Sequence, residues 1–113
     1  MEEYKPLERN PSLDLINDIK DWIKNKFIPE EQAIHIISKI ENKELTYDFA
    51  IVKLGNLLFE RHEALTKLEL DSSLSKETLA EIQEIRIKIN QVILNKISPK
   101  IRGLNDKYSI NLD

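Results

Sequence analysis

Few side chains in this sequence invite chemistry, and their spacing decides what each can do. His35 and Glu31 stand four apart, so a helix would set both on one face and offer a metal two ligands. The four-helix di-metal arrangement needs Glu-x-x-His on two helices. His35 follows Gln32, and His62 follows Phe59, so neither histidine meets that spacing. No metal site is expected, and both histidines are assigned to solvated faces. Glu60-Arg61-His62-Glu63 is the densest charged run. Arg61 falls at the right interval after the apolar pattern to be partly buried, and a structural ion pair across the fold is its expected role. General acid–base catalysis needs two carboxyls in unlike environments around one cleft. The acids here are spread over polar faces and nominate no such pair. Gly55 and Gly103 are isolated, so there is no glycine-rich phosphate loop. No serine, histidine and acid share a spacing that suggests a triad. The absence of cysteine excludes disulfides and thiolate metal ligands. The expectation is therefore no catalytic residue, no cofactor and no small-molecule substrate.

These residues must be positioned by helices. Asn10-Pro11 reads as an N-cap followed by proline at N1. Leu15, Ile16, Ile19, Trp22, Ile23 and Phe27 then recur at three and four, which predicts a helix over 11–27. Pro29 is placed at N1 of a second helix, 29–42, with Glu30 and Glu31 favourable in its first turn. Ala33, Ile37 and Ile40 mark its inner face. Thr46 is the predicted cap of a third helix, 46–70, and Gly55 inside it implies close packing against a crossing helix, with a local bend as the alternative. Leu74-Ser75 pairs a hydrophobic staple with an N-cap and opens a fourth helix, 76–98. Ser98-Pro99 is expected to end or kink that helix, with Gly103 as a further stop. Residues 1–9 read as a polar arm and 104–113 as a tail. No segment alternates with period two, so the predicted fold is all-α: one domain, an antiparallel four-helix bundle with short connections. Helices one and two are shorter than three and four, which leaves part of the long pair uncovered.

The segment 57–65, Leu57-Leu58-Phe59-Glu60-Arg61-His62-Glu63-Ala64-Leu65, resembles the long-helix segment of all-helical chorismate mutases. There a Leu-Leu-x-x-Arg run places a substrate-binding arginine inside the bundle, and the resemblance would give that role to Arg61. It covers about fifteen residues, with Asp48 and Ile51 at compatible intervals. The family also carries an arginine before this stretch and an Asp-x-x-Arg-Glu motif after the long helix. Residues 40–45 hold no arginine, and Asp71-Ser72-Ser73-Leu74-Ser75 replaces the second motif. A dianionic substrate would lack its clamp, so mutase activity is not expected.

With 41% hydrophobic and 33% charged residues in a chain of 113, the composition is that of an ordinary globular domain. No apolar run approaches the roughly 20 residues of a membrane span. The acidic, polar start does not resemble a secretory signal, and the cytoplasm is the expected compartment. The net charge of −3 gives no global attraction to nucleic acid. Cations do gather late in the sequence: Arg86, Lys88, Lys96, Lys100 and Arg102 are the candidates for an anionic partner. Ile36, Phe49, Val52, Ile87 and Leu94 lie off the main apolar stripes and are the candidates for a protein partner. The functional expectation is a non-catalytic helical interaction module that binds a protein or itself. One alternative is a bacteriocin immunity-type protein, to which the chain is similar in size and helix count. Another is a helical subunit of a nucleoprotein complex that uses the basic 86–107 region.

Overall fold

Capping decides where each helix begins. In the computed structural model, which describes residues 10–107 (side chains to 104), the Asn10 side chain accepts the N–H groups of Ser12 and Leu13 at 3.0 and 3.3 Å. That satisfies two orphan donors at the start of α1 (Pro11–Lys24). One face of α1 buries Leu15, Ile16, Ile19 and Trp22. The helix stops three residues short of the predicted 27, because Lys26 adopts a left-handed φ of 65°. The Lys26 N–H bonds to the Ile23 carbonyl and the Phe27 N–H to that of Trp22, a Schellman closure that turns Phe27 and Ile28 into the core.

α2 (Glu30–Glu41) begins one residue later than expected: Pro29 is its N-cap and not N1, and its carbonyl takes the Ala33 N–H at 3.0 Å. α2 ends on a second Schellman closure, with Lys43 at φ 61°. Thr46 Oγ1 accepts the Phe49 N–H at the start of α3 (Tyr47–Leu68), and Ser75 Oγ accepts that of Thr78 at the start of α4 (Lys76–Val92), as the cap positions predict. Between them Asp71 accepts both the hydroxyl and the N–H of Ser73, at 2.6 and 2.9 Å. The side-chain hydrogen bond first, then the backbone one, holds the Asp71 carboxyl below its ordinary value.

The fourth helical arm does not end at Ser98. α4 passes through a π-helical turn (Ile93–Ile97) straight into α5 (Ser98–Lys107). The Ser98 N–H reaches back five residues to the Ile93 carbonyl. An α-helical proline lacks its own donor and presses its ring on the carbonyl four residues earlier. The wider turn just before Pro99 gives that ring room, so the chain stays helical where the proline predicted an end or a kink. Gly103 lies within α5, and residues 104–107 are helix, not tail. The predicted arm 1–9 and the end of the predicted tail, 108–113, lie outside the described residues.

The described residues form an all-α four-helix bundle without strands. α1 and α2 pack on each other and on α3, while α4, the π turn and α5 run back along α3. Ile19, Ile51, Leu54, Leu58, Ile89 and Ile97 are the most completely enclosed side chains, and they tie three of the four arms together. At Gly55 α3 and the fourth arm approach closely: a methyl group added there would lie 3.0 Å from Ile97 Cγ2. At 1.5 Å per residue α3 is about 33 Å long, against about 21 Å for α1 and about 18 Å for α2. The α1–α2 connection reaches only to Arg61, whose Nε donates to the Lys26 carbonyl at 3.3 Å. Beyond it the α3–α4 hairpin projects, with Leu68 and Leu70 exposed and Leu79 and Ile82 half-buried. No described helix is long and apolar enough to cross a membrane.

Candidate interaction surface

A helix at 100° per residue brings positions spaced three and four apart onto one face. On α3 the sequence Phe49, Val52, Asn56, Phe59, Glu63, Thr66 has that spacing. Its face points away from Ala50, Leu54, Leu58 and Leu65, which fill the core. Phe49 is 67% exposed and Phe59 52%, and Val52 is exposed between them. Beside this stripe lies a groove of about 540 Å³ between α2 and α3. Ile36 and Leu57 line it together with Glu31, His35, Lys39 and Lys53.

The five apolar candidates do not converge. Phe49 and Val52 share the outer face of α3, while Ile87 and Leu94 are exposed seven residues apart on α4 and its π turn. Ile36 is a correction: it is 6% exposed and belongs to the core. α2 packs against both α1 and α3, so its buried stripe is Ala33, Ile36, Ile37 and Ile40, and Ile34 is the residue left in solvent. Phe59 was missed by the sequence reading because it sits directly after the Leu57-Leu58 pair. Its spacing of seven from Val52 and ten from Phe49 was the signal that could have found it.

The basic candidates are dispersed and mostly engaged within the chain. Arg86 forms a two-pronged ion pair with Glu69, Nε to one carboxylate oxygen and Nη2 to the other. Lys88 lies 3.0 Å from Glu84, and Lys96 lies 3.8 Å from Asp18 on α1. The Lys100 ammonium stands 5.4 Å from the centre of the Tyr47 ring. Arg102 is exposed on α5. Arg86, Lys96 and Lys100 thus tie the fourth arm to its neighbours, Lys88 pairs within α4, and the five do not gather on one face. Removing the Arg86 guanidinium strands a Glu69 side chain that is only 16% exposed. Arg86→Gln is therefore expected to cost about 1–3 kcal/mol in a denaturant titration, the range for losing a hydrogen bond to a charged partner. An unchanged midpoint would show that water replaces the pair at no cost.

Arg61, expected in an ion pair, instead donates to a backbone carbonyl and braces the α1–α2 connection. It also lines a hollow with Glu30, Lys26 and Ile28, a structural position at the edge of the bundle. His35 and Glu31 share the α2–α3 groove, yet among the described residues no group of three His, Cys, Asp or Glu side chains is placed to hold a metal. No known protein family matches the chain, and no curated protein or solved structure shows significant similarity to it.

Proposed function

We propose that this chain is a non-catalytic interaction module that docks another protein chain through the outward face of α3 and the adjoining α2–α3 groove. The observation that carries this reading is the pair of exposed phenylalanines, Phe49 and Phe59, with Val52 between them on one helix face. Aromatic side chains are enriched at protein interfaces because they bury much area for little lost rotamer entropy. Two such rings and a valine, exposed in the unfolded chain as well, cost little when left in water on a rigid helix and supply a ready-made apolar patch. The groove adds concavity beside it, with Leu57 and the edge of Ile36 as its apolar wall. The internal pairing of Arg86, Lys88 and Lys96 favours a protein partner over a nucleic acid. An immunity-type role would be one form of the same docking.

The test is the double variant Phe49→Glu with Phe59→Glu. Both side chains are outside the core, so stability is expected to change by no more than about 0.5 kcal/mol. A partner captured from a native extract by the wild-type chain is expected to be lost by the variant. Capture that survives both charges would remove α3 from the interface and refute the reading.

A further inference from the structure

We infer that the occupant of this α2–α3 face is a second copy of the chain, docked antiparallel, α3 against α3, about a two-fold axis near Asn56. The inference rests on the interaction-module reading and adds the identity of the partner. Its basis is the arrangement of charge along the face. On the flank of α3 that borders the groove, Lys53 stands about one turn before Asn56 and Glu60 about one turn after it. α2 runs antiparallel to α3 and repeats the order. Its basic end, Lys39, shares the groove with Lys53, whereas its acidic start, Glu30 and Glu31, lies at the Arg61 end, where Glu30 and Arg61 line one hollow. Lys39 and Lys53 thus stand toward one end of the face and Glu31 and Glu60 toward the other, while Glu30 shares its hollow with the cations Lys24, Lys26 and Arg61.

Among the described residues Lys39, Lys53, Glu31 and Glu60 make no ion pair, in contrast to Arg86, Lys88 and Lys96. A two-fold axis perpendicular to α3 keeps the groove flank of one copy beside the groove flank of the other and reverses the helix direction. Lys53 of each copy then meets Glu60 of the other, with Glu63 one turn further on, and Lys39 is carried toward the Glu31 end of the other groove. A two-fold axis parallel to α3 would instead set the groove flank of one copy against the far flank of the other and leave Lys53 and Glu60 without these partners. Charge pairs at the flanks of a helical seam set partner and orientation in this way. The seam between the flanks consists of Phe49, Val52, Asn56 and Phe59, so each copy supplies two phenyl rings. Asn56 near the axis is the polar group that penalises slipped registers, the best-attested use of an asparagine in such a seam. An isologous contact requires a surface complementary to itself, and a charge distribution that changes sign about its own centre meets that requirement.

The experiment is the mass of the full chain by sedimentation equilibrium over a range of concentrations, for the wild type, K53E, E60K and an equimolar mixture of the two variants. The wild type is expected to dimerise, more weakly as salt is raised. Either single reversal sets like charges together twice in each dimer and is expected to weaken association by about tenfold or more. In the mixture, a K53E chain carries acids at both positions and an E60K chain carries lysines at both. Their mixed dimer therefore has two opposite-charge pairs and is expected to form more tightly than either variant with itself. Weakening by either single reversal together with recovery on mixing marks Lys53 and Glu60 as partners across the contact of two copies, and circular dichroism of each variant checks that the fold is kept. A wild type that remains monomeric at all concentrations overturns the second-copy inference, while the capture experiment with the Phe49 and Phe59 variants still decides the broader reading. A dimer indifferent to both reversals, or one not recovered by mixing, also overturns it. If Phe49→Glu with Phe59→Glu fails to weaken such a dimer, the interaction-face reading falls for self-association as well.

Discussion

Ile97→Ala is expected to lower stability by about 2–5 kcal/mol, the range for truncating an enclosed aliphatic side chain. For a domain of this size that is a fall in thermal midpoint of roughly 10–20 °C, at roughly 4 °C per kcal/mol. Ile97 is fully enclosed, lies at the end of the π-helical turn, and packs its Cγ2 against the bare backbone of Gly55 on α3. Truncation would open a cavity at this close crossing, where backbone atoms on the α3 side cannot collapse to fill it. Leu94, three residues earlier in the same turn, points into solvent, and its alanine variant is expected to lie within about 0.5 kcal/mol of wild type. Thermal melts followed through Trp22, which is buried on α1, compare the two directly. Equal losses at Ile97 and Leu94 would mean that the π turn does not orient the arm as described.

Gly55→Leu is the converse change at the same contact. A Cβ at Gly55 would sit 3.0 Å from Ile97 Cγ2 and 3.6 Å from Ile101 Cδ1. The small variant Gly55→Ala gains about 1 kcal/mol of helix propensity and meets only one tight contact, so its net effect should be small. Leucine adds three further carbons where no space exists. Overpacking is expected to cost about 1–3 kcal/mol beyond any propensity gain, by pushing the π turn and α5 off α3. Combining Gly55→Leu with Ile97→Ala removes the methyl groups that leucine would strike, so the double variant should be more stable than the two separate losses predict. Purely additive losses in that cycle would contradict the direct contact.

How much of this molecule could be read from its residues depends on whether the governing interaction is local. Asn10, Thr46 and Ser75 mark helix starts because their side chains bond to N–H groups two or three residues away. Such bonds need no tertiary partner, and all three caps are found where their residue types place them. The long inner face of α3, from Ala50 to Leu65, was legible for the same reason: its period is that of the helix itself. Helix ends were less so. Lys26 and Lys43 accept left-handed backbones that residue type argues against, because the closures they permit bury Phe27 and Ile28 after α1 and turn the chain into α3 after α2.

The interaction surface was legible in part. Phe49 and Val52 could be recognised as apolar residues away from the core stripe, but a helix as short as α2 does not reveal how many neighbours it has. With α1 on one side and α3 on the other, its buried arc widened to take in Ile36. The separation of Lys39 and Lys53 from Glu31 and Glu60 is likewise invisible until α2 and α3 are laid side by side. Arg86 shows the same limit from the other direction: a cation in a basic run found its acid just beyond the end of α3.

By itself the sequence determined four amphipathic helical arms, their capped starts and an all-α fold. Those features follow from hydrogen bonds and periodicities that span only a few residues. The course of the fourth arm was decided only by tertiary structure. Ile85, Ile89, Ile93, Ile97 and Ile101 recur every four residues. In an unbroken α-helix that row drifts by about 40° at each step and would wind off its neighbour. The π turn over Ile93–Ile97 absorbs the drift, so Ile89, Ile93 and Ile97 all reach the core and Ile101 still meets Gly55. The same turn makes room for Pro99. Local propensity would have broken the helix there, but burying the isoleucine row against α3 keeps it whole.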